Sequence, residues 1–339
     1  MLPCIKICVA ENAADTQRPN NSNTQSLKHP TMARKSSSAS GGFLFKTGAF
    51  AVLAGLAFWL FNQFGSKKSG DPIDAKPPIE LPAKTTNTAS SDEKTPSQVS
   101  EAILPTSSTN EIVQHTWFTL SYDEDHEQAE WVAYELTRER LNENWAARPN
   151  TFRPDPDVRT ESATPRDYSG SGYDKGHLCP AADMAFNEKA IDETFFMSNM
   201  SPQEPAFNAG IWRELEELTR DWARKFNHLY VVTGPVLTNS QYTQIGFSKV
   251  SVPNAYYKVL LAPDQHRSIA FILPNELGDS PIMDYACSID KVEKVTGLDF
   301  FPKILKGLDE ELEASLDKDA WPINKTRQEE RIKVWNVKR

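Results

Sequence analysis

The chain has 339 residues, 39% of them hydrophobic and 10% aromatic, with a formal net charge of -9. That charge excludes a protein that grips nucleic acid on a broad basic face, because phosphate contacts dominate such affinity; any binding of that kind must sit in a local groove. The four cysteines at 4, 8, 179 and 287 have no C-x-x-C spacing and do not indicate a disulfide framework; Cys179 and Cys287 are expected as buried or free thiols over a pair.

Residues 1–42 are rich in Asn, Ser, Thr and Lys, lack any helical or strand period, and read as disordered. Within them Met32 opens a second candidate start, MARKSSSASGGFLFKTGAF. Residues 43–64 are almost all apolar apart from Lys46 and are about as long as a helix needs to be to cross hydrocarbon. The run ends in Asn62, Gln63, Phe64 and Gly65 with no small-x-small site, so an uncleaved membrane anchor is expected over a cleaved signal peptide. Arg34 and Lys35 precede it and Lys67 and Lys68 follow, so charge bias gives little orientation; the rest of the chain is expected on the periplasmic or extracellular side. Residues 65–110 carry six prolines among Ser, Thr and Lys and no aromatic, and read as a linker with a reach on the order of 40 Å.

The folded domain is expected over 111–308. Val113, His115, Trp117 and Thr119 alternate on one side, a polar turn follows at Asp123 to Gln128, and Trp131, Ala133 and Glu135 continue the alternation, which predicts a hairpin. Further strands are predicted at 228–233, 256–262 and 268–273. Between them Ile211, Leu215, Leu218, Trp222 and Phe226 recur at helical spacing. The class is therefore α+β. Residues 309–339 read as an added helix around Leu312, Leu316 and Trp321, then a charged tail whose Glu329, Glu330, Arg331 and Lys333 are expected to face water.

Two runs carry the chemistry. DYSGSGYDKGHLCPAADM, at 167–184, packs three glycines, three aspartates, a lysine and a histidine into one stretch; Gly170, Gly172 and Gly176 allow tight turns and close backbone approach. A histidine in such a turn is ordinarily a satisfied structural residue. Here TFFMSNMSPQEPAFNAGIWRELEEL follows at 194–218, and the two runs together resemble the DNA/RNA non-specific endonuclease family. The residues that carry the likeness are Asp174, Lys175, Gly176 and His177, then Asn199, Met200, Ser201, Pro202 and Gln203, then Asn208, Trp212, Leu215 and Glu216. The likeness spans about 112–305 and includes VTGPV at 232–236 and TGLDFF at 296–301.

The resemblance implies a ββα-metal (His-Me finger) fold, with a central antiparallel sheet and flanking helices, His177 at a strand end and Asn208 leading into a helix. It makes His177 the general base for an attacking water, a role suited to imidazole. It makes Asn208 the direct ligand of a divalent cation, Mg²⁺ with Mn²⁺ as a substitute, most of whose shell stays water. Glu216, eight residues on, is about two turns away and is expected to orient a water of that shell.

Asn199 is carried over as a catalytic-site residue, and Asp174, Lys175 and Gln203 as substrate-binding positions; for Asn199 and Gln203 the alternative is a loop-capping amide. An arginine that steadies the phosphate is expected at Arg148, with Arg153 as second choice. The family motif has Arg where this chain has Lys175, which keeps the charge without the bidentate fork. Cys179 raises a His-Cys zinc site, but no further close-spaced ligands accompany it.

The expected activity is phosphodiester hydrolysis of DNA and RNA that leaves 5′-phosphate and 3′-hydroxyl ends. The rival reading is a non-catalytic, membrane-tethered nucleic-acid-binding protein that keeps the fold. Membrane contact through 43–64 and a homodimer complete the expected partners.

Overall fold

In the computed structural model the described residues are 99–143, 145–239, 241–305 and 310–336. All belong to the second of the chain's two units, Thr88–Arg339. The expected disordered segment (1–42), the anchor (43–64) and most of the linker lie outside the described residues. Among the described residues no helix is long and apolar enough to cross a membrane.

A seven-stranded antiparallel sheet forms the frame. Its strands are β1 (Ile112–Gln114), β2 (Phe118–Asp123), β3 (Gln128–Thr137), β6 (His228–Pro235), β9 (Ala255–Ala262), β10 (Arg267–Pro274) and β11 (Ala286–Cys287), neighbours in that order. β-Branched and aromatic residues fill these strands because they pack well on a pleated surface. Side chains alternate between the two faces, and both faces are covered. Val132, Tyr134, Val231, Tyr256 and Leu260 build one core, while Trp131, Ala133, Val232, Tyr257, Val259 and Leu261 build the other.

The sequence expectation of one strand from 113 to 119 is corrected. β1 pairs antiparallel with β2, Gln114 opposite Thr119, so His115, Thr116 and Trp117 form the turn of a first hairpin and β2–β3 is a second. An alternating pattern persists through a tight turn, and side-chain period alone does not reveal the reversal. The three later strands and the helix stand where the pattern puts them.

A separate two-stranded ribbon, β4 (Asp174–His177) with β5 (Met200–Gln203), pairs His177 with Met200 and Asp174 with Gln203. Between them lies the short helix α2 (Glu188–Glu193), which follows α1 (Arg138–Asn142) in the chain. After β5 the chain enters a helical turn at Pro205–Phe207, widens at Asn208–Trp212, where Gly210 leaves helical geometry (φ -103°, ψ -110°), and continues as α3 (Arg213–Phe226). α3 buries Leu215, Leu218, Trp222 and Phe226 against the first sheet face and ends at Asn227 with φ 75°. The opposite face is covered by α4 (Ile289–Thr296), capped by Ser288 and closed by Gly297 at φ 77°, together with Phe300 and Phe301. A small hairpin, β7 (Gln244–Ile245) with β8 (Val250–Ser251), packs beside Tyr168 and Met200.

Both ends of the described chain are more involved than composition suggests. Residues 99–110, placed in the linker by their Pro, Ser and Thr content, pack on the second core through Ile103, and the Trp131 indole donates to Thr106 O at 2.9 Å. Ser108 donates to both carboxylate oxygens of Glu130. Short polar residues thus serve as specific partners there. The charged tail is also corrected at one position: Arg331 is fully buried, while Glu329 and Lys333 form an exposed pair. The extension is a set of short helices, α5 (Glu310–Ala314) and α6 (Lys325–Glu330) with turns between and after them.

Candidate active site

β4, β5 and the kinked helix bring the two sequence runs together on the first face of the sheet. Glycine at 176 leaves room for the Gln203 side chain, which reaches across from the facing strand to within 2.2 Å of where a Cβ would stand. Gly170 and Gly172, at φ 69° and 86°, make the tight loop leading into β4.

His177 closes β4. Its ring is held edge-on between Phe195 and Phe152, with centroid separations of 5.0 and 5.8 Å. Trp212 Nε1 donates to its carbonyl at 3.4 Å, which ties the strand end to the start of the helix. The residue is 9% exposed, and its buried Nε2 has no hydrogen-bond partner among the described residues. Burial, assisted by the nearby Arg148 charge, pushes its pKa down to about 3. The ring is neutral and its Nε2 is uncommitted, as a proton acceptor must be.

Asn208 stands at the entry to the widened turn, and its Nδ2 donates to Asp174 Oδ2 at 2.9 Å. A carboxylate only accepts, so this bond fixes which way the amide points and leaves Oδ1, a neutral hard oxygen, for a cation. Glu216 follows on α3. Burial raises its carboxyl to about 7, against the lowering pull of Arg220, Lys258 and Arg148.

Of the two arginine candidates the structure brings only one to this group. Arg148 is exposed, stacks on Phe195 at 5.1 Å and acts electrostatically on both His177 and Glu216. Its loop is anchored by backbone bonds from Trp145 and Ala146 to Ala185 O. Arg153 instead is paired to Asp192 at 2.5 Å and stacked on Phe196, so its fork is occupied. Lys175 reaches across Phe152 and Tyr168, at 5.2 and 5.9 Å.

The two amides divide. Asn199 is buried and spends its whole side chain on backbone: Nδ2 donates to Cys179 O and Thr194 O, and Oδ1 accepts from Cys179 N. These bonds hold the segment just past His177. Gln203 is buried with both amide atoms unpartnered among the described residues.

Cys179 is a buried free thiol whose pKa burial raises, so it is neither nucleophile nor evident ligand. Among the described residues His115, Asp155 and Asp157 form a group with metal-ligand chemistry. His115 Nε2 is already bonded to Asp155 at 2.9 Å, and Ser198 donates to the same carboxylate, so the group ties the arginine loop to the turn after β1 and to the residue before Asn199.

Sequence reading passed over the charge network beneath the site. Lys258, in the middle of β9, points to the site face with Tyr256 and Leu260; it is buried, lies 4.8 Å over Trp212, and its Nζ has no hydrogen-bond partner among the described residues. Arg220 pairs with Asp183 at 2.8 Å, and Tyr134 donates to the other oxygen of that carboxylate at 2.8 Å. The Glu216-to-Arg220 spacing of four on a helix was a readable signal. A lysine within an apolar strand was another.

Residues 95–306 match the family described as DNA/RNA non-specific endonuclease. The chain is 36% identical over 203 residues to mitochondrial endonuclease G of Homo sapiens, covering 56% of this chain and 68% of that protein. It is 35% identical over 211 residues to Nuclease C1 of Cunninghamella echinulata var. echinulata, covering 57% of this chain and 84% of the relative. Among solved structures it resembles a chain of the EndoG/EndoGI complex, with a TM-score of 0.53 and 31% identity over 57% of this chain and 86% of that one.

Proposed function

The chain belongs to the DNA/RNA non-specific endonuclease family and is an endonuclease, and from that premise we propose that it hydrolyses DNA and RNA phosphodiesters with His177 as general base and a cation held by Asn208. The observation that carries this reading is a pair. His177 presents a buried, unpartnered Nε2 at the strand end, and on the adjoining turn Asn208 has its amide nitrogen tied to Asp174 so that Oδ1 is left to bind. The donor set of one amide oxygen with a nearby carboxylate suits Mg²⁺, and Mn²⁺ can replace it. When bound, such a cation supplies positive charge at the scissile phosphate and the leaving 3′-oxygen.

The chain's own residues do the rest. His177 Nε2 takes the proton of the attacking water, its ring plane fixed by Phe152 and Phe195. Buried, and with Arg148 nearby and no substrate present, the imidazole is a weak base. An incoming phosphate offsets the Arg148 charge and draws the imidazole up toward the range where proton transfer is efficient. Arg148 supplies a fork for phosphate oxygens, and Lys175 a point charge on the same side as Phe152. Glu216, once ionised, accepts from a water beside the cation.

Degradation of plasmid DNA and of RNA in Mg²⁺ tests the reading, with loss expected in His177→Ala and in Asn208→Ala. A folded, cation-binding protein that left both substrates intact would overturn it. The apolar run at 43–64 supports membrane attachment with the nuclease domain outside the cytoplasm; fractionation of cells with protease added from outside checks both points.

A further inference from the structure

The matched family residues end at 306, yet the residues that follow contact the cation-bearing helix along its length. At the far end Trp321 wedges between Trp222 and Phe226, with centroids 5.2 and 5.0 Å away, and the Trp222 indole donates to Pro322 O at 2.8 Å. Arg327 then pairs with Glu217 at 2.8 Å and Asp221 at 2.7 Å. One turn on, Arg331 pairs with Glu214 at 2.5 Å, both side chains fully buried, and donates to the carbonyls of Gly278 and Ser280. Another turn on, Trp335 lies under Arg213 at 4.2 Å. Last, Asn336 donates to Gly278 O at 2.9 Å, and its Oδ1 lies 3.0 Å from where a Cβ on Gly210 would stand.

The contacts of Arg327, Arg331 and Trp335 fall four residues apart, so one face of α6 and of the wide helical turn Arg331–Trp335 that continues it runs antiparallel to α3 and finishes at the Gly210 kink. That kink is two residues past Asn208. The Gly278 loop that Arg331 grips also abuts Ile211, and its Asn275 donates to Pro202 O at the end of β5. The extension therefore meets the ββα unit at its helix, at its kink, and through the 275–280 loop at its second strand.

We propose that residues 318–336 are a built-in clamp that sets the kink presenting Asn208, with Arg331, Trp335 and Asn336 acting as positioning residues for cation binding. The widened turn is the soft point of the helix, since Gly210 has non-helical dihedrals and no side chain of its own to lock them. Packing from outside has to supply that rigidity, and here it comes from a segment beyond the family core. This inference rests on the reading that Asn208 holds the cation.

The test uses the full chain carrying Trp335→Ala with Asn336→Ala, and separately Arg331→Met and Arg331→Lys. Mn²⁺ binding is followed by electron paramagnetic resonance, and Mg²⁺ half-saturation, kcat and KM are followed by cleavage of an oligonucleotide. Expected for the double variant is a folded protein whose Mn²⁺ affinity and Mg²⁺ half-saturation weaken about tenfold, the low end of what lost outer support costs a ligand, while KM for the oligonucleotide stays put. Arg331→Lys, which keeps the charge opposite Glu214, is expected to fall between the unchanged chain and Arg331→Met. A folded double variant that binds Mn²⁺ and responds to Mg²⁺ like the unchanged chain overturns the clamp. If Arg331→Met does not fold, the double variant decides. Absence of cleavage in the unchanged chain would count against the functional reading, and the Mn²⁺ arm would still judge the clamp.

Discussion

At the residue scale the site rests on two groups whose pKa values burial moves in opposite useful directions. His177 is pushed down to about 3 and so is neutral in free enzyme at any ordinary pH. Glu216 is pushed up to about 7, so it is protonated below that value and cannot then accept a hydrogen bond through a full carboxylate. The acid limb of kcat/KM should therefore fall near pH 7 at low Mg²⁺ and belong to Glu216. A bound cation favours the ionised form, so rising Mg²⁺ should shift the limb to lower pH, and cation affinity should be weaker at pH 6 than at pH 8. Titrating Mg²⁺ at both pH values checks this; an acid limb that ignores Mg²⁺ would assign the titration elsewhere.

Lys175 permits a second prediction at this scale. Stacked over Phe152 and Tyr168, it offers phosphate a point charge where the family motif has a fork. Lys175→Arg should lower KM several-fold and leave kcat nearly unchanged, as steady-state kinetics on a defined duplex would reveal.

At the scale of elements, the β4–β5 ribbon is a tight fit. Gly176→Ala drives a methyl into Gln203 and should cost about 1–3 kcal/mol, the usual range for overpacking. Because the obstacle is a side chain, adding Gln203→Ala should recover part of that loss, which denaturant melts of the single and double variants would show. The clamp helix gives a contrasting case. Arg331→Met leaves Glu214 as a buried, unpaired charge and should cost about 3–5 kcal/mol. Replacing Glu214 by Leu in the same chain removes that charge and should restore a sizeable share, with the carbonyls of Gly278 and Ser280 left as the residual loss. The pairing also explains why the tail was misread in sequence. Arg331 sits among Glu329, Glu330 and Lys333 and is indistinguishable from them by composition; its buried partner is more than a hundred residues away.

At the scale of the molecule, a net charge of -9 and a local set of basic groups at Arg148 and Lys175 imply few phosphate contacts. Binding of His177→Ala to DNA should lose affinity with salt at a shallow slope, corresponding to about two or three phosphates and not the six to ten of a strong DNA binder. Fluorescence anisotropy across a salt series gives the slope.

The motif residues His177, Asn208 and Glu216 were legible as a group without coordinates, because they lie within forty positions on local elements whose spacing the chain itself dictates. The three long strands and α3 were legible for the same reason: hydrophobic period is a local property. What only the tertiary structure decided is where long-range partners act. Proximity singled out Arg148 from Arg153, the backbone around Cys179 claimed Asn199, the reversal at His115 split one alternating run into two strands, and α3 drew Arg331 out of a charged tail. Each of these turns on which of several chemically equivalent groups finds a partner distant in sequence, and a side chain's local pattern carries no record of that.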